Sequence, residues 1–345
     1  MKIQNERNIW IDNVKVFACV LVVLGHFFQS MVKSGILPEE GFFKWFDRMI
    51  YYFHVPLFFI CSGYLYQKYS VVNSFQTWSR NIRKKIIVLG IPYITFSTAT
   101  WLLKSVFSGA VNGPIGGLVT TLLLSPTAPY WYLYTLFFIF MVTPTFSSKT
   151  KMILWLVIAL NAKKLDICDI YTGNYMVDTV CAYEVWFIIG MCIAFCAIDI
   201  KLQRKTRIIL GSTLMAVFLV LSICIYVYQV FFGGIYFLMG LLACTAVLIT
   251  MHAVFQQNKQ NKIFAFLFRY TMPIFLMHTI FTAPVRIVLL KLGIQSAIVH
   301  IVLGLFASFT GPIVAATVMG KFKCLDVLLN PSRYIKFRDG VNTHV

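Results

Sequence analysis

Apolar runs long enough to cross a bilayer recur along nearly the whole chain, and this limits the possible folds more than any other feature. A helical crossing needs about 20 residues, and in lipid only helices and closed barrels satisfy every backbone hydrogen bond. Such runs fall at 9–31, 49–67, 86–104, 129–147, 151–162, 180–198, 208–228, 232–254, 269–290 and 296–319. Only 12% of the 345 residues are charged, about half the share of a soluble domain and too few to coat a water-facing surface. The chain is therefore expected to be an all-α integral membrane protein, a bundle of about ten transmembrane helices. The run at 151–162 is the weakest, since Met152 to Leu160 is soon followed by Asn161 and Lys163.

Charge orients these runs. With ten crossings, the loops and helix ends on one side carry 21 Lys and Arg, those on the other carry eight, and Lys15 lies inside the first helix. The positive-inside rule assigns the richer side to the cytoplasm, so both termini are expected there. Omitting the short run would send three later basic clusters outside. The expected organisation is one transmembrane domain over 1–320 and a basic cytoplasmic tail over 321–345. The first run carries Asp12 and Lys15 and no small-residue cleavage site, which reads as a retained helix rather than a signal peptide.

The net charge of +18 sits in short clusters between apolar runs. With no regular basic face, a nucleic-acid partner is not expected; the lipid bilayer and its anionic head groups are. Nine cysteines are scattered without paired spacing and read as small packing residues. No metal site and no cofactor is expected.

Ionisable groups inside membrane helices are costly, so each is a functional candidate. Lys15 and His26 are eleven residues apart, about 16 Å along one helix face. Asp12, three residues before Lys15, shares that face, which predicts a polar stripe through most of the membrane. The competing reading is an interfacial ion pair for Asp12 and Lys15 and a satisfied interhelical bond for His26. The second run places His54 at a depth similar to His26, then Pro56, Ser62 and Gly63. Pro56 removes a backbone hydrogen bond, and Ser62 and Gly63 permit close helix approach. Arg80 and Arg83 open a cationic patch before the third run, either a topology signal or a cradle for donor phosphates. Trp131 opens the fourth run as an interfacial anchor or a sugar-stacking ring. Glu184 lies within the sixth, free by spacing to pair with a histidine or with Arg286. His278 follows Pro273 in the ninth.

Taken in order, these segments resemble the membrane acyltransferase 3 family, integral membrane O-acyltransferases that decorate bacterial surface polysaccharides. The resemblance rests on Lys15, ten residues and His26; on His54-Val55-Pro56-Leu57-Phe58-Phe59 with Ser62-Gly63; on Arg80-x-x-Arg83; and on Pro273-Ile274-Phe275-Leu276-Met277-His278. It implies a cytosolic acyl-CoA donor, usually acetyl-CoA, and a carbohydrate acceptor hydroxyl, on a surface polysaccharide or its lipid-linked precursor. It implies His26 as the catalytic residue, with Lys15 stabilising charge on the donor side and Arg80 and Arg83 holding phosphates. Asp12, His54, Trp131, Glu184 and His278 are expected to position the acceptor or the catalytic groups. The implied location is the bacterial inner membrane, multi-pass. The alternatives are a multi-span glycan polymerase or ligase, which typically needs a large outer loop, and a lipid-linked glycan transporter, which needs a conduit without a catalytic base.

Overall fold

The computed structural model describes residues 8–110, 113, 115–197, 202–255 and 260–335, and these are helical with no strand among them. Thirteen α-helices follow in order: α1 (Ile9–Lys33), α2 (Phe42–Tyr51), α3 (His54–Tyr69), α4 (Phe75–Lys85), α5 (Ile91–Val106), α6 (Trp131–Val142), α7 (Lys149–Ile167), α8 (Tyr175–Phe195), α9 (Arg204–Val227), α10 (Ile235–Phe255), α11 (Lys262–Lys291), α12 (Ala297–Met319) and α13 (Lys323–Leu329). A π-helical turn at Ile86–Gly90 joins α4 to α5 into one rod. Eight rods among the described residues are long and apolar enough to cross a membrane: α1, α2–α3, α4–α5, α8, α9, α10, α11 and α12.

The other two expected crossings coincide with α6, a 12-residue apolar helix, and α7, of 19 residues. The short run at 151–162 is thus part of a helix about 28 Å long. Its charged ends keep it below the apolarity of the other eight.

Loop contacts define two ends of the bundle. At one, Lys68 donates to Asn8 at 2.8 Å, Val72 pairs with Thr145, and Arg204 donates to the carbonyl of Ala253 at 3.0 Å. The starts of α1 and α9, the α3–α4 and α6–α7 connections and the end of α10 gather here; we term it the basic end. At the other, the histidine end, Gly41 donates to Tyr226 and Arg286 bonds Ser30. Lys2, Arg7, Lys201, Lys259, Lys336 and Arg338, which entered the charge count, lie outside the described residues.

The tightest crossing is between α3 and α8. A Cβ on Gly63 would lie 1.9 Å from the carbonyl oxygen of Phe187, and one on Gly190 would lie 2.0 Å from that of Ile60. Only glycine lets these two backbones touch, which accords with the reading of Gly63 as a close-approach residue. Beside it, Ser62 hydrogen-bonds Tyr132 of α6 at 3.0 Å. Helix α1 is enclosed by α2, α3, α10, α11 and α12, so its chemistry-bearing residues face neighbours rather than lipid.

Two expectations change. The second rod begins seven residues early, as α2, and breaks at Tyr52–Phe53 before α3 starts at His54. Pro56 therefore sits in the first turn of α3, where its missing N–H would have had no helical partner anyway. The chain turn, not the proline, makes the irregularity. In the expected tail, residues 321–335 are folded: α13 packs on α12 and α5, and the buried Asp326 accepts from Asn330 (2.7 Å), Arg333 (3.0 Å) and Tyr334 (2.7 Å).

Candidate active site

Three histidines from three helices converge at the histidine end. His26, half-buried on the C-terminal part of α1, stacks on His278 of α11 with ring centroids 5.4 Å apart and planes at 29°. His54, the first residue of α3, is close enough to interact electrostatically with His26.

The rings are held differently. His54 Nδ1 lies 2.6 Å from the carbonyl of Ile50, and His278 Nδ1 lies 2.9 and 3.0 Å from those of Ile274 and Phe275. A carbonyl only accepts, so in both rings Nδ1 carries the proton and Nε2 is the basic atom of the neutral form. His54 thereby caps the last turn of α2. The Nε2 of His278 is buried without a hydrogen-bond partner. His26 makes no hydrogen bond to the described residues, so both of its nitrogens are available to a ligand.

The surroundings lock this geometry. Arg286 donates to the Ser30 carbonyl at 3.2 Å and to the Ser30 hydroxyl, clamping α11 to α1 one turn beyond His26. Thr282 bonds the His278 carbonyl at 2.6 Å and Ser308 of α12 at 2.5 Å. The fully buried Tyr130 donates to the Leu276 carbonyl at 2.9 Å and meets Thr100 of α5 at 2.7 Å. Ser30 and Thr282 were not singled out by sequence reasoning, and Tyr130 entered it only beside Trp131 at the start of the fourth run. Arg286 entered it only as a partner for Glu184, although an arginine in an apolar run is itself a signal.

Residues 8–317 match the family described as an acyltransferase domain. The chain belongs to the acyltransferase 3 family. Two curated relatives are nodulation proteins called NolL: one from Mesorhizobium japonicum, 28% identical over 158 residues, and one from Sinorhizobium fredii, 27% identical over 155. Each match covers 45% of this chain and about 40% of the relative, so it spans less than half the length of either protein. No solved structure matches.

Within this family framework, the remaining expected site residues fall at other levels. Lys15 lies near Asp12, Cys61 and Lys85 on the basic half of the bundle. The face of α1 between Lys15 and His26 is Ala18, Cys19, Val22 and Val23, all buried. The expected polar stripe is thus interrupted by about two apolar turns, and polar groups occur only at its two ends. Arg80 and Arg83 are exposed on α4, one turn apart, and Lys85 of the same patch turns inward over the Phe140 ring at 3.8 Å.

Glu184 is buried midway along α8 and accepts from Thr143 at 2.9 Å. Thr143 ends α6 at the basic end, so Glu184 pairs neither with a histidine nor with Arg286. Trp131 packs against Tyr183 with centroids 5.0 Å apart. The described residues include no group of three or more His, Cys, Asp or Glu side chains arranged to hold a metal.

Proposed function

We propose that this protein is a membrane O-acyltransferase that takes an acyl group, in the first instance acetyl, from a cytosolic acyl-CoA and transfers it to a glycan hydroxyl. The observation that carries this reading is the histidine cluster. His26 is oriented by a stacked ring and left with unpartnered nitrogens, while its two neighbours have their protons fixed on backbone carbonyls. That is what a general base needs: a lone pair, a fixed direction and a site shielded from bulk water.

In the proposed reaction, a nitrogen of His26 takes the proton of the acceptor hydroxyl as its oxygen attacks the thioester carbonyl. The C–S bond breaks, the thiolate of CoA leaves, and the proton held by His26 neutralises it. The products are an ester and free CoA. Lys15 offsets negative charge on the donor side, and Arg80 and Arg83 hold the donor phosphates at the basic end. The apolar turns between Lys15 and His26 leave no continuous polar path along α1. The long flexible arm of CoA, rather than a relay of side chains, then carries the acyl group toward His26.

Family membership and eight membrane-competent helices support this reading. It places the protein in the bacterial inner membrane with the histidine end outward, both termini cytoplasmic, and the acceptor a surface polysaccharide or its lipid-linked precursor. Mass spectrometry of surface glycans from cells with and without the protein tests it. An acyl mass present only with the protein is the expected result; identical glycans in both would contradict it.

A further inference from the structure

A cavity of about 600 Å³ opens at the histidine end beside the cluster. That volume lies within the range of small-ligand sites, about 300–1,000 Å³. Its walls come from four places: Tyr51 where α2 meets α3, Lys163 and Asp166 at the end of α7 with Asp169 just beyond, Tyr183 and Trp186 on α8, and the loop from α9 to α10. That loop closes in because Gly234 adopts φ +87° and a Cβ on Gly233 would lie 2.9 Å from the Ile167 carbonyl oxygen.

Tyr51 is the shared wall between cavity and cluster. Its ring packs edge-on against His54 with centroids 4.5 Å apart, and a Cβ on Gly25, the residue before His26, would lie 3.3 Å from it. One side chain therefore separates the cavity from the catalytic candidates.

The lining selects a chemical class. Its charged side chains are one lysine and two aspartates, a slightly negative balance that repels the phosphates of CoA. Lys163 is committed to Asp166 at 2.6 Å, and Tyr171 donates to Asp169 at 3.0 Å. Each carboxylate uses one oxygen in these bonds and keeps the other for a ligand hydroxyl. Aromatic faces alternate with these acceptors, and Trp131 backs Tyr183. Flat apolar faces beside charged hydrogen-bond acceptors suit a neutral ligand with hydroxyls around a hydrophobic ring face.

We infer that this cavity is the acceptor site: it holds a sugar unit of the glycan, with Asp166 and Asp169 accepting from its hydroxyls and Tyr51 guiding the reactive hydroxyl toward His26. The inference rests on the acyltransferase reading and adds to it where the acceptor docks.

The test uses the full chain in lipid vesicles with labelled acetyl-CoA. The acceptor probe is surface glycan from the producing cell, stripped of ester groups by mild alkali. Asp169→Asn is expected to raise the KM for glycan about tenfold, the size of one lost charge-assisted bond, while the KM for acetyl-CoA stays within about twofold. Ala182→Phe, which fills the cavity, is expected to lower kcat/KM for glycan further. Asp169 is exposed, so its variant keeps the test open even where the filled protein fails to insert. An unchanged glycan KM in Asp169→Asn, with the wild-type protein active, overturns the cavity assignment and leaves the acyltransferase reading standing. A rise in the acetyl-CoA KM alone assigns the cavity to the donor and equally overturns it. No transfer by the wild-type protein removes the acyltransferase reading and the cavity assignment with it.

Discussion

At the histidine end, the polar side chains that surround His26 are buried and tied down: His54 and His278 to backbone carbonyls, Arg286 to Ser30, Thr282 to Ser308. At the basic end, Arg80 stands exposed without a partner among the described residues, and Arg83 makes one long bond of 3.4 Å to its own helix. The contrast follows from solvent. A polar group in a low-dielectric interior costs several kcal/mol unless it is bonded, so evolution of a buried site fixes geometry as a by-product of satisfying it. A cation at the water boundary is solvated whatever it touches, and it remains free to meet an anionic ligand. The first arrangement suits proton transfer, which needs fixed atoms. The second suits capture of a charged donor from solution.

Both ends hang on the α3–α8 crossing, so breaking it should erase the difference between them. Gly63→Ala or Gly190→Ala would drive a methyl into a facing carbonyl and cost more than about 3 kcal/mol. Little folded protein should be recovered from membranes, measured by size-exclusion chromatography in detergent. Normal recovery would mean the helices separate easily and the two ends are not rigidly related.

The next largest effect belongs to the histidine end. Arg286→Ala removes a buried charged donor from half-buried Ser30, and bonds of that kind are worth about 1.5–3 kcal/mol. Thermal unfolding in detergent should shift down by several degrees, and Arg286→Lys should recover part of the loss. An unchanged melting temperature would show that α1 and α11 are held together without this clamp.

The smallest effect on stability belongs to the basic end. Arg80→Ala with Arg83→Ala should leave the melting temperature nearly unchanged, within about 0.5 kcal/mol, as for exposed charges in general. Donor affinity should fall about tenfold, and the difference from wild type should shrink as salt is raised. Lost stability with unchanged acyl-CoA binding would make the patch structural and cancel the contrast between the ends.

Much of the fold was legible because it depends on local pattern. Each of the ten apolar runs coincides with a helix, since length and apolarity alone set the requirement for a crossing. Helix α2 was missed because Lys44, Asp47 and Arg48 interrupt its hydropathy. Its apolar residues Phe42, Phe43, Phe46, Met49 and Ile50 nevertheless recur at helical spacing, the signal of an amphipathic helix. The site was legible only in its parts. His26, His54 and His278 were identifiable as costly polar groups in apolar runs. The stacking of His26 on a ring 252 positions away depends on how α1 and α11 pack, which no local pattern encodes. The polar stripe failed for a related reason: Lys15 and His26 share a helical face, but the residues between them are apolar and packed. Glu184 went to Thr143 because the end of α6 reaches it and the histidines do not.

We propose that chemistry occurs at His26, at the end of the bundle opposite Arg80 and Arg83. Its most direct test is transfer of labelled acetyl from acetyl-CoA in sealed vesicles whose basic end faces the donor solution, comparing wild type with His26→Gln. Glutamine keeps hydrogen-bonding capacity and bulk but offers no base, so the amount of inserted protein should match wild type. The wild-type protein should place label on glycan inside the vesicles, and His26→Gln should lose at least about 100-fold of that rate, the lower bound for general-base catalysis. Transfer by His26→Gln at near the wild-type rate would make His26 a packing residue and rule it out as the base.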